Sequence, residues 1–163
     1  MTTILGIDPG LATTGFGLIK ADKKGLQMLK YGCLTTPAHE KIPTRLLTVA
    51  KDLNKIIKLY KPEIVSCEEL FFAANSKTAI AVGQARGVAL LKFAEHHLPV
   101  YEFTPLEVKL ALTGYGRADK NQMQQMVKLL LNLENIPKPD DAADALAIAV
   151  CLAHSLSLVK MHA

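Results

Sequence analysis

Residues 4–35 read ILGIDPGLATTGFGLIKADKKGLQMLKYGCLT, and the order of apolar runs and turns within them decides the fold class. Ile4 to Ile7 is a short apolar run halted by Asp8-Pro9-Gly10, the pattern of a buried strand entering a turn. Gly15 to Lys20 and Leu26 to Thr35 predict two further strands, joined through Asp22-Lys23-Lys24-Gly25 in a hairpin. The chain therefore opens as an antiparallel meander, and Asp8 stands at a strand end.

Downstream the pattern changes to alternating helix and strand. Leu46, Val49, Ala50, Leu53, Ile56, Ile57 and Tyr60 recur at helical spacing, predicting an amphipathic helix over Thr44–Tyr60 that Pro62 closes. Glu63 to Cys67 is a short β-rich run ending at Glu68, so a carboxylate again marks a strand end. Ser76 to His97 is helical, with Gly83 and Gly87 on one face, and Val100 to Phe103 is a last strand. Thr104-Pro105-Leu106-Glu107 is a capping box opening a helix to about Leu112. Thr113 to Arg117 breaks the chain, and Asp119 with Gln122 starts a helix through Leu133. Pro137 and Pro139 lead to a final helix with Asp140 as its cap; residues 142–154, AADALAIAVCLAH, are apolar on nearly every face and must be clamped between other elements. Strands first, then alternation, predict an α/β fold: a mixed five-stranded sheet with antiparallel N-terminal strands and helices on both faces.

With 163 residues the chain fits one domain, 1–163, long enough to bury a core without staples. No apolar run approaches the ~20 residues of a membrane span, and MTTILGIDPG lacks the basic start of a secretory signal, so the expected location is cytoplasmic, with no membrane partner. Cys33, Cys67 and Cys151 lie far apart in apolar stretches and read as reduced core residues. The five histidines lack ligand spacing. A net charge of +4 is modest, but carboxylates gathered into one pocket would leave the remaining surface more basic, as a polyanion requires.

Each carboxylate has an ordinary explanation when taken alone. Asp before Pro-Gly is turn chemistry, Glu68 and Glu69 point to opposite faces of an extended chain, and acids in a first helical turn complement the helix dipole. Asp144 shares a helix face with Asp141 at one spacing and with Asp140 at another, and spacing does not choose between them. Together, hard oxygen ligands from two strand ends and a helix, with no His or Cys cluster, fit Mg²⁺ or Mn²⁺. Such a site, with two ions, hydrolyses phosphodiesters. Lys109, Arg117 and Lys120 flank the Gly-rich break after the last strand, and that placement favours contact with phosphates.

GIDPG (6–10), CEELFF (67–72), GQARG (83–87) and DDAADALAIA (140–149) resemble, in order and approximate spacing over nearly the whole chain, the RuvC Holliday-junction resolvases. The resemblance implies a ribonuclease H-like fold, a homodimer, dependence on Mg²⁺ (two ions per site, Mn²⁺ able to substitute) and paired symmetric nicks in four-way DNA junctions during recombination and repair. It implies Asp8, Glu68, Asp141 and Asp144 as catalytic metal ligands, leaving Glu69 and Asp140 as bystanders. It implies Phe71 as the residue that stacks on or wedges between bases, and it supports Lys109 and Lys120 as DNA-binding. Gly83 and Gly87 permit close helix approach, to the chain's own sheet or, preferred here, to a second subunit. RuvA and RuvB are the implied protein partners. The competing readings are a ribonuclease H-like nuclease acting on RNA or other branched nucleic acid, a non-catalytic junction-binding module, and an actin-like ATPase, which one domain is too small to form.

Overall fold

A computed structural model describes the backbone of residues 1–69 and 76–161 and, in the second stretch, the side chains of 79–156. Strands β1 (Thr2–Asp8), β2 (Thr13–Asp22) and β3 (Gly25–Thr35) are followed by helix α1 (Ile42–Tyr60), β4 (Ile64–Glu68), α2 (Ser76–Glu95) and β5 (Val100–Phe103). Helices α3 (Pro105–Thr113), α4 (Lys120–Leu130) and α5 (Asp140–Met161) complete the chain. The five strands form one sheet in the order β3-β2-β1-β4-β5. β1 pairs antiparallel with β2 and β2 with β3, whereas β1–β4 and β4–β5 are parallel, which gives the expected mixed sheet.

Alternation along β1 sorts the core into two layers. Leu5 and Ile7 join Phe16, Leu18, Val65 and Cys67 beneath α1 and α2, while Ile4 and Ile19 face α3, α4 and α5. Asp8 has the parity of Ile4 and Gly6, so it turns toward α5. Ser66 of β4, which donates its hydroxyl to the Ile148 carbonyl of α5 at 2.8 Å, fixes the same parity for Glu68.

Helix boundaries differ from expectation where backbone chemistry overrides apolar spacing. α1 starts at Ile42 because Pro43, whose missing N–H costs nothing in a first turn, extends the helix ahead of its apolar stripe. α2 stops at Glu95 and α4 at Leu130, short of His97 and Leu133, and His97 and Asn132 adopt left-handed φ values of 54° and 50°. Both predicted capping boxes, Thr104/Glu107 and Asp119/Gln122, form. Asp140, expected as a cap, is instead the first residue of α5. The three cysteines are free, and burial pushes the thiols of Cys67 and Cys151 up to about 11 and about 12, so they remain neutral core groups. His96 and His154 are bound to Asn54 and to the Ala111 carbonyl. Among the described residues no helix is long and apolar enough to cross a membrane.

Candidate active site

Parallel pairing places Ile7 beside Cys67, so the strand ends carrying Asp8 and Glu68 are neighbours. The third contributor, α5, reaches them because the strands beneath it have no side chains in the way. A Cβ at Gly6 would lie 2.1 Å from the Ala145 carbonyl oxygen, and one at Gly15 would lie 2.0 Å from that of Asp141. Gly17 would meet Leu146 at 2.8 Å. α5 answers with Ala142, Ala145 and Ala149, all buried, and rests directly on the backbone of β1 and β2. Gly15 and Gly17 had been read simply as strand residues. The available signal was GFG, two glycines two apart on one sheet face, followed far downstream by an alanine-rich helix.

This close seat brings carboxylate oxygens of Asp8, Asp141 and Asp144 within 4.8 Å of one another. Glu68 is not one of that trio but acts on it: after burial, the charge of Glu68 is the largest influence raising Asp8 to about 7, ahead of Asp144 and Asp141. Burial and then Asp144 raise Glu68 in turn, and Asp144 is raised by burial against the opposing pull of Lys120. A half-buried set of acids in which burial and mutual repulsion raise Asp8, Glu68 and Asp144 is donor chemistry suited to a hard divalent cation, which would relieve both the burial and the repulsion.

The neighbouring acids behave differently. Asp140 receives Gln124 Nε2 at 3.0 Å and Lys138 Nζ at 2.9 Å, and Lys120 Nζ lies 3.1 Å away, which holds its carboxyl well below the usual range. Glu69 is exposed, with its backbone N–H on the Phe103 carbonyl. Lys120 reaches back to Asp144 at 3.6 Å, a role not expected of it. Lys109 and Lys120 share with Glu68 and Asp144 the wall of a cavity of about 230 Å³ beneath α3 and α4. Arg117 is exposed in the α3–α4 connection and does not line that cavity. Phe71 and its neighbour Phe72 lie outside the described residues.

The family model for crossover junction endodeoxyribonuclease RuvC matches residues 4–152. The chain belongs to the RuvC family. RuvC proteins of Alkaliphilus oremlandii and Desulfitobacterium hafniense are 54% and 58% identical, covering 97% and 96% of this chain and 96% and 95% of theirs. The solved Thermus thermophilus RuvC superposes with a TM-score of 0.90 at 32% identity, covering 96% of each chain. The structure of that RuvC in complex with a Holliday junction substrate gives 0.92 at the same identity, covering 98% of this chain and 97% of the other. Membership in the RuvC family establishes the ribonuclease H-like fold expected from the motifs, makes the chain a crossover junction endodeoxyribonuclease and implies a divalent metal, and a carboxylate cluster of Asp8, Asp141 and Asp144 is present.

Stability should follow from these shifted acids. Without metal, folded Asp8 keeps its proton to about pH 7 whereas the unfolded chain loses it near 3.8, so the folded state binds more protons in between and loses stability as pH rises through that window. Urea unfolding in EDTA is expected to show a protein less stable at pH 8 than at pH 5 by on the order of 3 kcal/mol from Asp8, at 1.36 kcal/mol per pKa unit. Glu68 and Asp144 contribute with the same sign. Saturating divalent cation should remove or reverse the trend.

Proposed function

We propose that this chain resolves four-way DNA junctions with two Mg²⁺ ions per site, held by Asp8, Glu68, Asp141 and Asp144, and that it works as a homodimer of single nuclease domains in the cytoplasm. The observation that carries the reading is the trio of carboxylates within 4.8 Å, with Glu68 coupled to it, at the end of a sheet whose chain matches a junction-resolvase family. Bound there, Mg²⁺ supplies Lewis-acid stabilisation of charge on the attacking and departing oxygens of a phosphodiester. The protein's part is to fix the four carboxylates on rigid strand ends and one helix, so that little reorganisation is needed as the bond breaks.

Lys109 and Lys120 on the cavity wall are suited to hold phosphates beside the scissile bond, and Arg117, exposed on the adjoining connection, to hold one further out. Metal binding would free Lys120 from its attachment to Asp144. Phe71 is the proposed base-stacking residue, by family resemblance. The dimer reading is supported by α2: Ile80 and Leu91 are 65% and 58% exposed, and with Gln84, Gly87 and Ala94 they form one uncovered stripe. A Cβ at Gly83 or Gly87 would meet nothing within 4 Å among the described residues, so this face has room for the close approach of a second copy. A two-fold dimer presents two identical sites to a nearly two-fold junction. RuvA and RuvB are the proposed partners that deliver it.

The test incubates the protein with labelled four-way junction, linear duplex and RNA:DNA hybrid, in Mg²⁺ or EDTA, with sedimentation at the same concentration. Paired nicks confined to the junction and to Mg²⁺, from a species of about twice 17.7 kDa, are expected. Preference for the hybrid would shift the reading to an RNA-directed relative. Cutting by a species of monomer mass would remove the dimer.

A further inference from the structure

We infer that the groove beside Arg45, between the turn that follows β1 and helix α2, is a second phosphate site, which holds the DNA backbone on the side of that turn away from α5. The inference rests on branched DNA being the substrate. The groove, of about 460 Å³, is lined by residues 10–13, Ala81, Val82 and Arg45. Among the described residues Arg45 is its only charged wall residue, and no carboxylate of theirs lines it to compete with a bound anion.

The geometry of Arg45 is built rather than incidental. Its Nε donates to Thr36 Oγ1 at 2.9 Å. Thr36, a buried polar residue, donates its hydroxyl to the Leu11 carbonyl at 2.5 Å and its backbone N–H to the Ala12 carbonyl at 3.0 Å. The guanidinium plane is thereby tied to the groove's own floor through Nε. That leaves its two terminal amino groups as a fork, the arrangement that matches a phosphate's oxygens. No ion pair of Arg45 is present among the described residues, although the side chain is half-buried. The turn is itself braced, since Thr14 Oγ1 donates to the Gly10 carbonyl at 2.6 Å. Asp8 enters this turn and the groove lies along it, which sets Arg45 on the continuation of the turn that carries Asp8.

Binding of labelled four-way junction in EDTA, where cleavage is shut off, tests the site from 50 to 200 mM salt. Arg45→Ala is expected to weaken binding about tenfold at 100 mM and to lower the slope of log affinity against log salt by about 0.9, the signature of one lost phosphate contact. Lys58→Ala, which removes an exposed charge from the far end of α1, should leave the slope unchanged and controls for net charge. Arg45→Lys should keep the slope while losing a few-fold in affinity. Ethylation of single phosphates should reveal one position beside the cut that weakens wild type but not Arg45→Ala. Should Arg45→Ala fail to fold, Arg45→Lys with the ethylation pattern decides alone: an unchanged affinity and no sensitive phosphate overturns the inference. Equal slopes for Arg45→Ala and Lys58→Ala overturn it too. Failure of wild type to bind the junction would instead overturn the substrate reading.

Discussion

Asp8→Asn is expected to lower junction cleavage by roughly a thousandfold, the scale on which removing one preorganised electrostatic partner of a transition state is felt, or more. The same change should make the metal-free protein more stable. At pH 8 Asp8 is ionised in a half-buried position against Glu68, Asp144 and Asp141, and its elevation to about 7 measures how strongly the fold resists that charge. The amide keeps the shape and removes the charge, so urea unfolding in EDTA at pH 8 should show a gain of about 3 kcal/mol, and the decline of stability from pH 5 to pH 8 should flatten. The stabilisation that wild type gains on adding Mg²⁺ should shrink in the variant, because a proposed ligand is gone. Loss of activity together with gain of stability separates a catalytic ligand from a structural acid: had Asp8 been turn chemistry, the amide would leave cleavage intact or destabilise the fold. Equal cutting by the variant would remove Asp8 from the site.

That dual signature also explains which parts of the site could be read from the chain. The strand ends at Asp8 and Glu68 were legible because a polar residue ending an apolar run reveals its position, whereas alternation put Glu68 and Glu69 on opposite faces without saying which faces inward, and only the family motif chose Glu68. The choice between Asp140 and Asp141 was not legible from spacing, since both share a helix face with Asp144. It is decided by partners distant in sequence: Gln124 from α4 and the lysines Lys120 and Lys138 draw Asp140 away, while the Asp141 backbone sits on Gly15. The ion pair of Lys120 with Asp144 was hidden for the same reason, as it needs the relative placement of two helices that share no sequence signal. The mixed five-stranded sheet, its antiparallel opening strands and helices on both faces followed from strands-then-alternation, while the order β3-β2-β1-β4-β5 was not read from the sequence. The depth at which α5 docks did not, because hydrophobic periodicity reports which face is buried and says nothing of how close two backbones come.

Docking depth is therefore the property to perturb, and Gly15→Ala does so with one methyl group. Its Cβ would sit 2.0 Å from the Asp141 carbonyl oxygen and 2.5 Å from the carbonyl carbon, both backbone atoms that cannot rotate aside. The first turn of α5 must lift by more than an ångström to restore a normal contact, and that turn carries Asp141, with Asp144 next along it. Overpacking of this kind costs about 1–3 kcal/mol, which a core of this size survives, so the variant should fold with a lowered Tm. A shift of about 1 Å in a catalytic group can cost about a hundredfold in rate, and here the two proposed ligands Asp141 and Asp144 move together away from Asp8. Cleavage should fall at least that far, with weakened Mg²⁺ binding seen by calorimetry and junction binding in EDTA largely kept, since Lys109 is carried by α3. Gly83→Ala is the matched control. It adds the same methyl in a helix where nothing among the described residues lies within 4 Å, should raise helix propensity by up to about 1 kcal/mol, and should leave Mg²⁺ binding unchanged. If Gly15→Ala cuts and binds metal as wild type does, α5 tolerates a wider seat and the glycine floor is not what brings the carboxylates together; if it loses both while Gly83→Ala keeps its metal binding, a residue with no side chain is what sets the geometry of the acids.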